Sequence, residues 1–247
     1  MILMNTYNYH DFLAFLGIGG AHPGGLGLTK KLLEDVEINQ DSRILDAGCG
    51  MGQTAAYLAT TYGCHVTAVD YHPIMIEKAR QRFHNENVAV ELIQGNIEKI
   101  PLASASFDLI LVESVTVFTE IVKTVAEFAR LLVDNGILFD LEMTAALPFS
   151  EKEILAFQQV YDINQVPTEI EWKYIYKNGG FHSVETFHGD YVANALTGNY
   201  PQTFMPPEFD PSDVIDPSIY QIWDEHQQLT EKYADMLKYS VYYATKQ

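Results

Sequence analysis

The chain has 247 residues, a formal net charge of −18 and 47% hydrophobic residues. This length suits one α/β domain with insertions, and such a chain can bury a core without disulfides or a structural metal. The acidic charge argues against nucleic acid and anionic membranes as partners, because both attract cationic surfaces, and it favours neutral or cationic small molecules. The same charge also fits a simple role in solubility.

The cysteine count and the apolar runs suggest where the protein works. Cys49 and Cys64 are too few for a disulfide framework or a four-cysteine zinc site, and no metal site is predicted. The N-terminus lacks the positive region and apolar run of a signal peptide, and no apolar run reaches the roughly 18 residues that a membrane span needs. We therefore expect a reducing, cytoplasmic location.

Short apolar runs alternate with helical patterns from residue 43 onward. Helices are predicted at 54–62, from Pro73 onward, and at 118–133, 150–161 and 169–177, and Thr29 is predicted to cap an earlier helix. Strands are predicted at 43–47, 65–70, 88–94, 107–112, 137–141, 181–187 and 239–244. Apolar strands that alternate with helices form right-handed βαβ units, so the pattern predicts an α/β fold around a parallel sheet.

Two segments differ in composition from this regular pattern. Residues 1–28 are aromatic and glycine-rich, and residues 190–229 hold seven Asp or Glu, five Pro and no Lys or Arg. We interpret residues 1–247 as a single domain. Residues 1–28 are predicted to form an N-terminal lid, and residues 190–229 a lid insertion between the last two strands.

The densest chemical signal follows the first regular strand, where glycines alternate with other residues. These glycines are Gly48, Gly50 and Gly52. Glycines let the backbone approach a ligand, and the helix that follows offers free N–H groups. The dinucleotide fingerprint requires glycine where Gln53 stands. Asp46 before the loop repels a pyrophosphate but attracts an ammonium group, and Asp70 ends the next strand, where an acid binds ribose hydroxyls. The pattern predicts a ligand with a ribose and a cationic tail.

With these residues the sequence resembles the class I S-adenosylmethionine-dependent methyltransferases over roughly residues 40–145. The resemblance implies a Rossmann-like, seven-stranded, mostly parallel sheet with its last strand antiparallel and helices on both faces. It implies S-adenosylmethionine as cofactor, S-adenosylhomocysteine as product, and a small-molecule methyl acceptor. The cofactor-binding residues that it implies are Asp46, Gly48, Cys49, Gly50, Gln53, Thr54, Asp70, Tyr71, Asn96, Ile97 and Glu113. Asn96 departs from the family, which usually has Asp there, so adenine would lose a charged acceptor.

Methyl transfer from a sulfonium needs a base only when the acceptor must lose a proton. His22, in a His-Pro-Gly-Gly turn, and Glu113, after the fourth strand, are the predicted catalytic residues, with His10 as a further candidate. Tyr7 and Tyr9 are candidates for cation–π contact with the sulfonium. Trp172 and Trp223 either line an acceptor pocket or pack in the core.

Two other functions stay open at this point. A protein that binds S-adenosylmethionine or S-adenosylhomocysteine without transferring a methyl group would show the same cofactor motifs. An NAD-dependent oxidoreductase would also have a glycine loop, although Gln53 and Asp46 argue against it. The sequence names no acceptor, and it is compatible with a homodimer.

Overall fold

The structure is a computed structural model that describes residues 7–196 and 204–247. Residues 1–6 of the predicted N-terminal lid and residues 197–203 of the predicted insertion lie outside the described residues. The helices are α1 (Tyr9–Leu16), α2 (Gly25–Leu33), α3 (Gln53–Tyr62), α4 (Pro73–Asn85), α5 (Ile121–Leu131), α6 (Glu151–Tyr161), α7 (Glu169–Asn178), α8 (Val192–Leu196) and α9 (Ser218–Tyr233). The strands are β1 (Ile18–Gly19), β2 (Arg43–Ala47), β3 (His65–Asp70), β4 (Val90–Gln94), β5 (Phe107–Glu113), β6 (Leu132–Ala145), β7 (Phe181–Tyr191), β8 (Glu208–Phe209) and β9 (Leu237–Lys246).

The main sheet has seven strands in the order β4-β3-β2-β5-β6-β9-β7. The strands from β2 to β6 pair in parallel, whereas β9 is antiparallel to both β6 and β7. This arrangement confirms the predicted mostly parallel sheet and its reversed last strand. Since the chain passes from β3 to β4 on one side of β2 and from β5 to β6 on the other, the sheet has its switch point beside β2, where ligands bind in open α/β sheets.

Helices cover both faces of the sheet, as predicted. One buried cluster joins the sheet to α5, α6 and α7 and contains Phe128, Phe157 and Trp172, none of which is exposed. The other joins it to α2, α3 and α4 and contains Leu28, Leu58 and Phe83. The two clusters are continuous apolar layers, one on each face of the sheet, and they hold the helices against it. Trp172 therefore packs in the core.

Two helix boundaries differ from the sequence prediction by more than one residue. The helix predicted at 118–133 is a 3-10 turn at Thr116–Phe118 followed by α5, and β6 begins directly after α5. Leu132 leaves the helix because it takes an extended backbone and pairs with Phe107 of β5. Thr29 is not a helix cap, since α2 begins four residues earlier at Gly25, after the left-handed Gly24.

The two predicted lid segments contact each other. β1 and β8 form a small antiparallel sheet, with Ile18 opposite Phe209. α1 packs against α9 through an apolar cluster that includes Phe12, Leu16 and Ile222. α1 and α9 therefore form one layer, and their role as a lid stays a prediction.

The α5 layer offers a direct test of this core. Phe128→Ala removes a fully buried ring, and we expect the free energy of unfolding to fall by about 3–5 kcal/mol. Val122, on the same helix, is 67% exposed, so Val122→Ala should change that free energy by less than about 0.5 kcal/mol. Urea denaturation measures both values, and equal losses in the two variants would contradict the assigned core.

Candidate active site

The glycine loop after β2 is tied to the neighbouring strands by its own backbone. The N–H groups of Gly48 and Cys49 both donate to the Val69 carbonyl, at 2.7 and 2.9 Å. Gly48 has a φ of +81°, and a Cβ built on it would lie 2.4 Å from a methyl carbon of Val115. Gly50, with a φ of +52°, has no heavy atom within 4 Å of such a Cβ. The loop is thus packed tightly at its start and open at its middle.

Asp70 at the end of β3 holds this loop in place. One carboxylate oxygen accepts the Gly50 N–H at 2.9 Å, and the other accepts the His72 N–H at 2.8 Å. Burial raises the pKa of the Asp70 carboxyl, while these two backbone donors act in the opposite direction. Each carboxylate oxygen has a second lone pair, so Asp70 can fix the loop and still accept hydroxyl groups from a ligand.

Asp46 lies one strand away and is almost completely buried, with 3% of its surface exposed. Its Oδ2 atom has no hydrogen-bond partner among the described residues. Burial raises the pKa of this carboxyl well above its usual value, and the nearby carboxylates of Glu113 and Asp70 raise it further. A buried carboxylate oxygen without a partner is costly, and an ammonium group placed beside it would remove that cost.

Glu113 ends β5 and collects donors from three other parts of the chain. Its Oε2 accepts the Thr54 hydroxyl at 2.7 Å, and its Oε1 accepts the Thr29 hydroxyl. The Nε2 atom of His22 lies 3.3 Å from the same Oε1. His22 is buried, and its Nδ1 atom has no partner among the described residues. The two predicted catalytic residues are therefore in direct contact.

α1 covers the ends of β3 and β5. The His10 ring contacts those of Tyr71 and Phe118, with centroids 5.6 and 4.9 Å apart. Burial, and next the nearby His72, lowers the pKa of His10 to about 4, so His10 is neutral near pH 7. Asp11 of the same helix lies 3.2 Å from His72 Nε2, which links α1 to the residue that Asp70 binds.

An aromatic cluster joins α1 to α6 and α9 beside this cover. Tyr9 stacks on Phe118 and His226 and contacts Tyr161 edge-on, with centroids 4.7 to 5.8 Å apart. The Tyr161 hydroxyl lies 2.7 Å from His226 Nδ1. Burial lowers the pKa of His226 to about 4. The cluster is therefore uncharged near neutral pH.

Comparison with known proteins supports the reading of the glycine loop. Residues 44–136 match the family described as a methyltransferase domain. The chain is 35% identical over 238 residues to the uncharacterized methyltransferase YodH of Bacillus subtilis, covering 96% of this chain and 99% of that protein. The chain belongs to the class I S-adenosylmethionine-dependent methyltransferases.

Other relatives of this methyltransferase carry several different names. It is 30% identical over 199 residues to the demethylmenaquinone methyltransferase of Chlorobaculum parvum, covering 80% of this chain and 74% of the relative. Among solved structures, phosphoethanolamine N-methyltransferase 2 of Haemonchus contortus, in complex with S-adenosyl-L-methionine, matches with a TM-score of 0.70 and 18% identity, over 91% of this chain and 53% of that one. At that identity the match shows the shared fold alone.

The structure gathers most of the predicted site residues at one edge. Asp46, the glycine loop, Thr54, Asp70 and Glu113 meet there, and Gln53 lies beside Gly20, whose Cβ would be 2.9 Å from the Gln53 side-chain oxygen. Ile97 is buried nearby in the loop after β4.

Three predicted residues are less well placed for contact with a cofactor. The exposed Asn96 side chain already accepts the Glu98 N–H at 2.8 Å. The Cys49 thiol donates to the Gly50 carbonyl at 3.7 Å, and burial raises the pKa of this thiol well above its usual value. Tyr7 packs against Phe15 at 5.4 Å.

Thr29 is a site residue that the sequence analysis missed. It lies inside α2, is fully buried and binds Glu113, 84 residues further along the chain. Its position before a run of helix-forming residues resembles a helix cap. No local pattern distinguishes a threonine that caps a helix from one that binds a distant carboxylate.

Two further features bear on the kind of site. The described ranges contain no group of three or more His, Cys, Asp or Glu side chains placed to hold a metal ion. No helix in the described part of the chain has both the length and the apolar character needed to cross a membrane.

Two glycines of the loop form a matched pair for testing its packing. Gly48→Ala and Gly50→Ala both place a side chain at a positive φ, but only the first meets Val115. We expect Gly48→Ala to lower the free energy of unfolding by about 1–3 kcal/mol more than Gly50→Ala does. Thermal or urea unfolding measures the difference, and equal values would show that the loop is not packed against the turn after β5.

Proposed function

We propose that this methyltransferase binds S-adenosylmethionine across the carboxyl ends of β2, β3, β4 and β5. The observation that carries this proposal is the cluster of buried carboxylates around the glycine loop, with one Asp46 oxygen unpartnered. Asp70 would accept the ribose hydroxyls, Asp46 the ammonium group, and Ile97 with Tyr71 would contact adenine. Backbone N–H groups at the start of α3 suit the carboxylate of the cofactor.

When bound, the cofactor would supply an electrophilic methyl group. The acceptor's lone pair would bond to the methyl carbon as the carbon–sulfur bond breaks. The electron pair of that bond would stay on sulfur, which leaves S-adenosylhomocysteine. The residues around the site must then orient the acceptor and exclude water. α1 and α9 are proposed to orient the acceptor and exclude water, because they lie over the carboxyl ends of the strands. Residues 1–28 and 190–229 would form the lids to which these helices belong.

His22 and Glu113 are proposed to act together as a base. The Glu113 carboxylate lies 3.3 Å from Nε2 and would orient the imidazole, while Nδ1, which has no partner among the described residues, would take a proton from the acceptor. A carboxylate beside the imidazole also stabilises the cation that forms when the proton arrives. This arrangement resembles the carboxylate–histidine pairs of other enzymes that activate hydroxyl groups.

The acceptor is proposed to be neutral or cationic and to carry no phosphate. Within the described ranges, no Lys or Arg forms an ion pair, hydrogen bond or cation–π contact with His22, Glu113 or the aromatic cluster. Such cations form the strongest hydrogen bonds to phosphate groups. An uncharged aromatic acceptor fits the rings of Tyr9, Phe118 and Tyr161 better. A homodimer and a cytoplasmic location stay predictions.

Cofactor binding is tested by titration calorimetry with S-adenosylmethionine, S-adenosylhomocysteine and NAD. We expect the wild type to bind the first two and not NAD. Asp70→Asn keeps one carbonyl oxygen but loses the charge, so its affinity should fall about 10- to 100-fold. Asp41→Asn is the matched control, since Asp41 is exposed before β2 begins, at the opposite edge of the sheet. Unchanged affinity in Asp70→Asn would show that this acid does not bind the ribose.

The proposed base is tested by turnover of labelled cofactor with the best acceptor from a panel of phenols, amines and thiols. His22→Gln should lower kcat by about 100-fold or more while KM for the cofactor changes little. His65→Gln, at the exposed start of β3, should leave both constants unchanged. A raised KM with an unaltered kcat would instead make His22 a cofactor-binding residue.

A further inference from the structure

Two carboxyl side chains lie together beneath the turn that follows β5. Asp140 and Glu142 stand on the same face of β6, and neither has any exposed surface. Neither belongs to the residues proposed to bind the cofactor. Buried acids cost free energy unless donors surround them, so the donors that these two collect show what the pair does.

Most of those donors come from the turn itself. Glu142 accepts the backbone N–H groups of Val115 and Thr116 through Oε1, at 2.9 and 2.6 Å, and that of Val117 through Oε2 at 3.3 Å. Asp140 Oδ2 accepts the Thr116 hydroxyl at 2.7 Å. Carboxyl groups of β6 thus accept hydrogen bonds from the first N–H groups of the 3-10 turn, which would otherwise lack partners.

The same turn forms a wall of the proposed active site. Val115 fills the space that a Cβ on Gly48 would need. Phe118, at the other end of the turn, contacts His10 of α1. Ser114 between Glu113 and Val115 has a left-handed backbone, with a φ of +61°, a conformation that is uncommon for a non-glycine residue and is here held by contacts of the turn with its surroundings. The position of the turn is therefore set from outside.

We infer that Glu142 and Asp140 are positioning residues that hold the turn from Ser114 to Phe118 against the glycine loop, and so shape the methyl-transfer site. The effect on catalysis rests on the proposed function of that site. The hold on the turn does not, because it is made by hydrogen bonds within the protein alone.

Burial and mutual repulsion favour one retained proton on the pair, whereas the donors from the turn bind the ionised carboxylates more strongly. Burial raises the pKa of Asp140 to about 7, and burial, followed by the charge of Asp140, raises the pKa of Glu142 well above its usual value. Two tyrosines face the pair. The Tyr176 hydroxyl of α7 donates to Asp140 at 2.9 Å, and Tyr242 lies on β9. Burial and the charge of Glu169 of α7 raise the pKa of Tyr242. None of these is a cation, so a protonated Glu142 that donates to Asp140 relieves the repulsion.

The proton on Asp140, which is lost before the shared proton on Glu142, has a defined effect on stability. The folded chain keeps a proton that the unfolded chain loses near pH 4, so the stabilisation from Asp140 is complete below about pH 4 and is lost as the pH rises toward 7. Glu142→Gln copies the protonated carboxyl: its carbonyl oxygen can serve Val115 and Thr116, and its amide can donate to Asp140. In this variant the hold on the turn no longer requires Glu142 to retain a proton.

Hydrogen exchange of the cofactor-free protein tests the hold on the turn. In Glu142→Ala, we expect the amides of Val115, Thr116 and Val117 to exchange about tenfold faster or more than in the wild type. Thr144→Val is the matched control, because Thr144 is a buried residue on the same face of β6 whose hydroxyl bonds Tyr242 and the Glu142 backbone carbonyl instead of the turn. Unchanged exchange in Glu142→Ala would overturn the inference even if the cofactor binds.

Kinetics test the consequence for the site. Glu142→Ala should raise KM for S-adenosylmethionine about tenfold or more, while circular dichroism shows a folded protein. Glu142→Gln should restore KM. In the wild type, loss of the shared proton should lower activity at alkaline pH, and this fall should be smaller in Glu142→Gln. A Gln variant as poor as the Ala variant, or an unchanged KM in the Ala variant, would contradict a positioning role. Failure of the wild type to bind the cofactor would refute the proposed function and leave the exchange result valid.

Discussion

Negative charge buried at the carboxyl edge of the sheet is the constraint around which this site is built. Asp46, Asp70 and Glu113 end neighbouring strands, and burial together with mutual repulsion raises the pKa of Asp46. Two of these acids are compensated locally: Asp70 by the backbone N–H groups of Gly50 and His72, and Glu113 by hydroxyl groups from α2 and α3. The Asp46 oxygen left without a partner among the described residues makes the edge suited to a cationic ligand and hostile to a phosphate.

The cover over this edge is where the protein differs from a bare methyltransferase domain. The domain match ends at residue 136 and begins at residue 44, so α1, α2 and α9 lie outside it. The Bacillus subtilis relative matches across 96% of the chain, and the shared length therefore includes these helices. Because the described residues of the cover supply neutral rings, the proposed acceptor would be selected by shape and polarity more than by charge.

Local sequence signals were reliable where strands are buried on both faces. β2 and β3 begin and end at the predicted residues, because unbroken apolar runs bounded by polar residues have one stable placement in a parallel sheet. The end of α5 was misjudged, since the apolar residues up to Val133 continue the helical spacing. Pairing of Leu132 with Phe107 overrides that local preference, and no sequence window contains both residues.

The sequence by itself determined the α/β fold, the glycine loop and the acids at or next to the last residue of β2, β3 and β5, because these depend on short-range patterns and on the common edge that parallel strands share. Tertiary structure alone decided that His22 and Thr29 reach Glu113, and that Glu142 holds the turn at Val115. Those contacts join residues 27 to 91 positions apart. The residue types that form them also occur at caps and in strands, so only the folded chain distinguishes their roles.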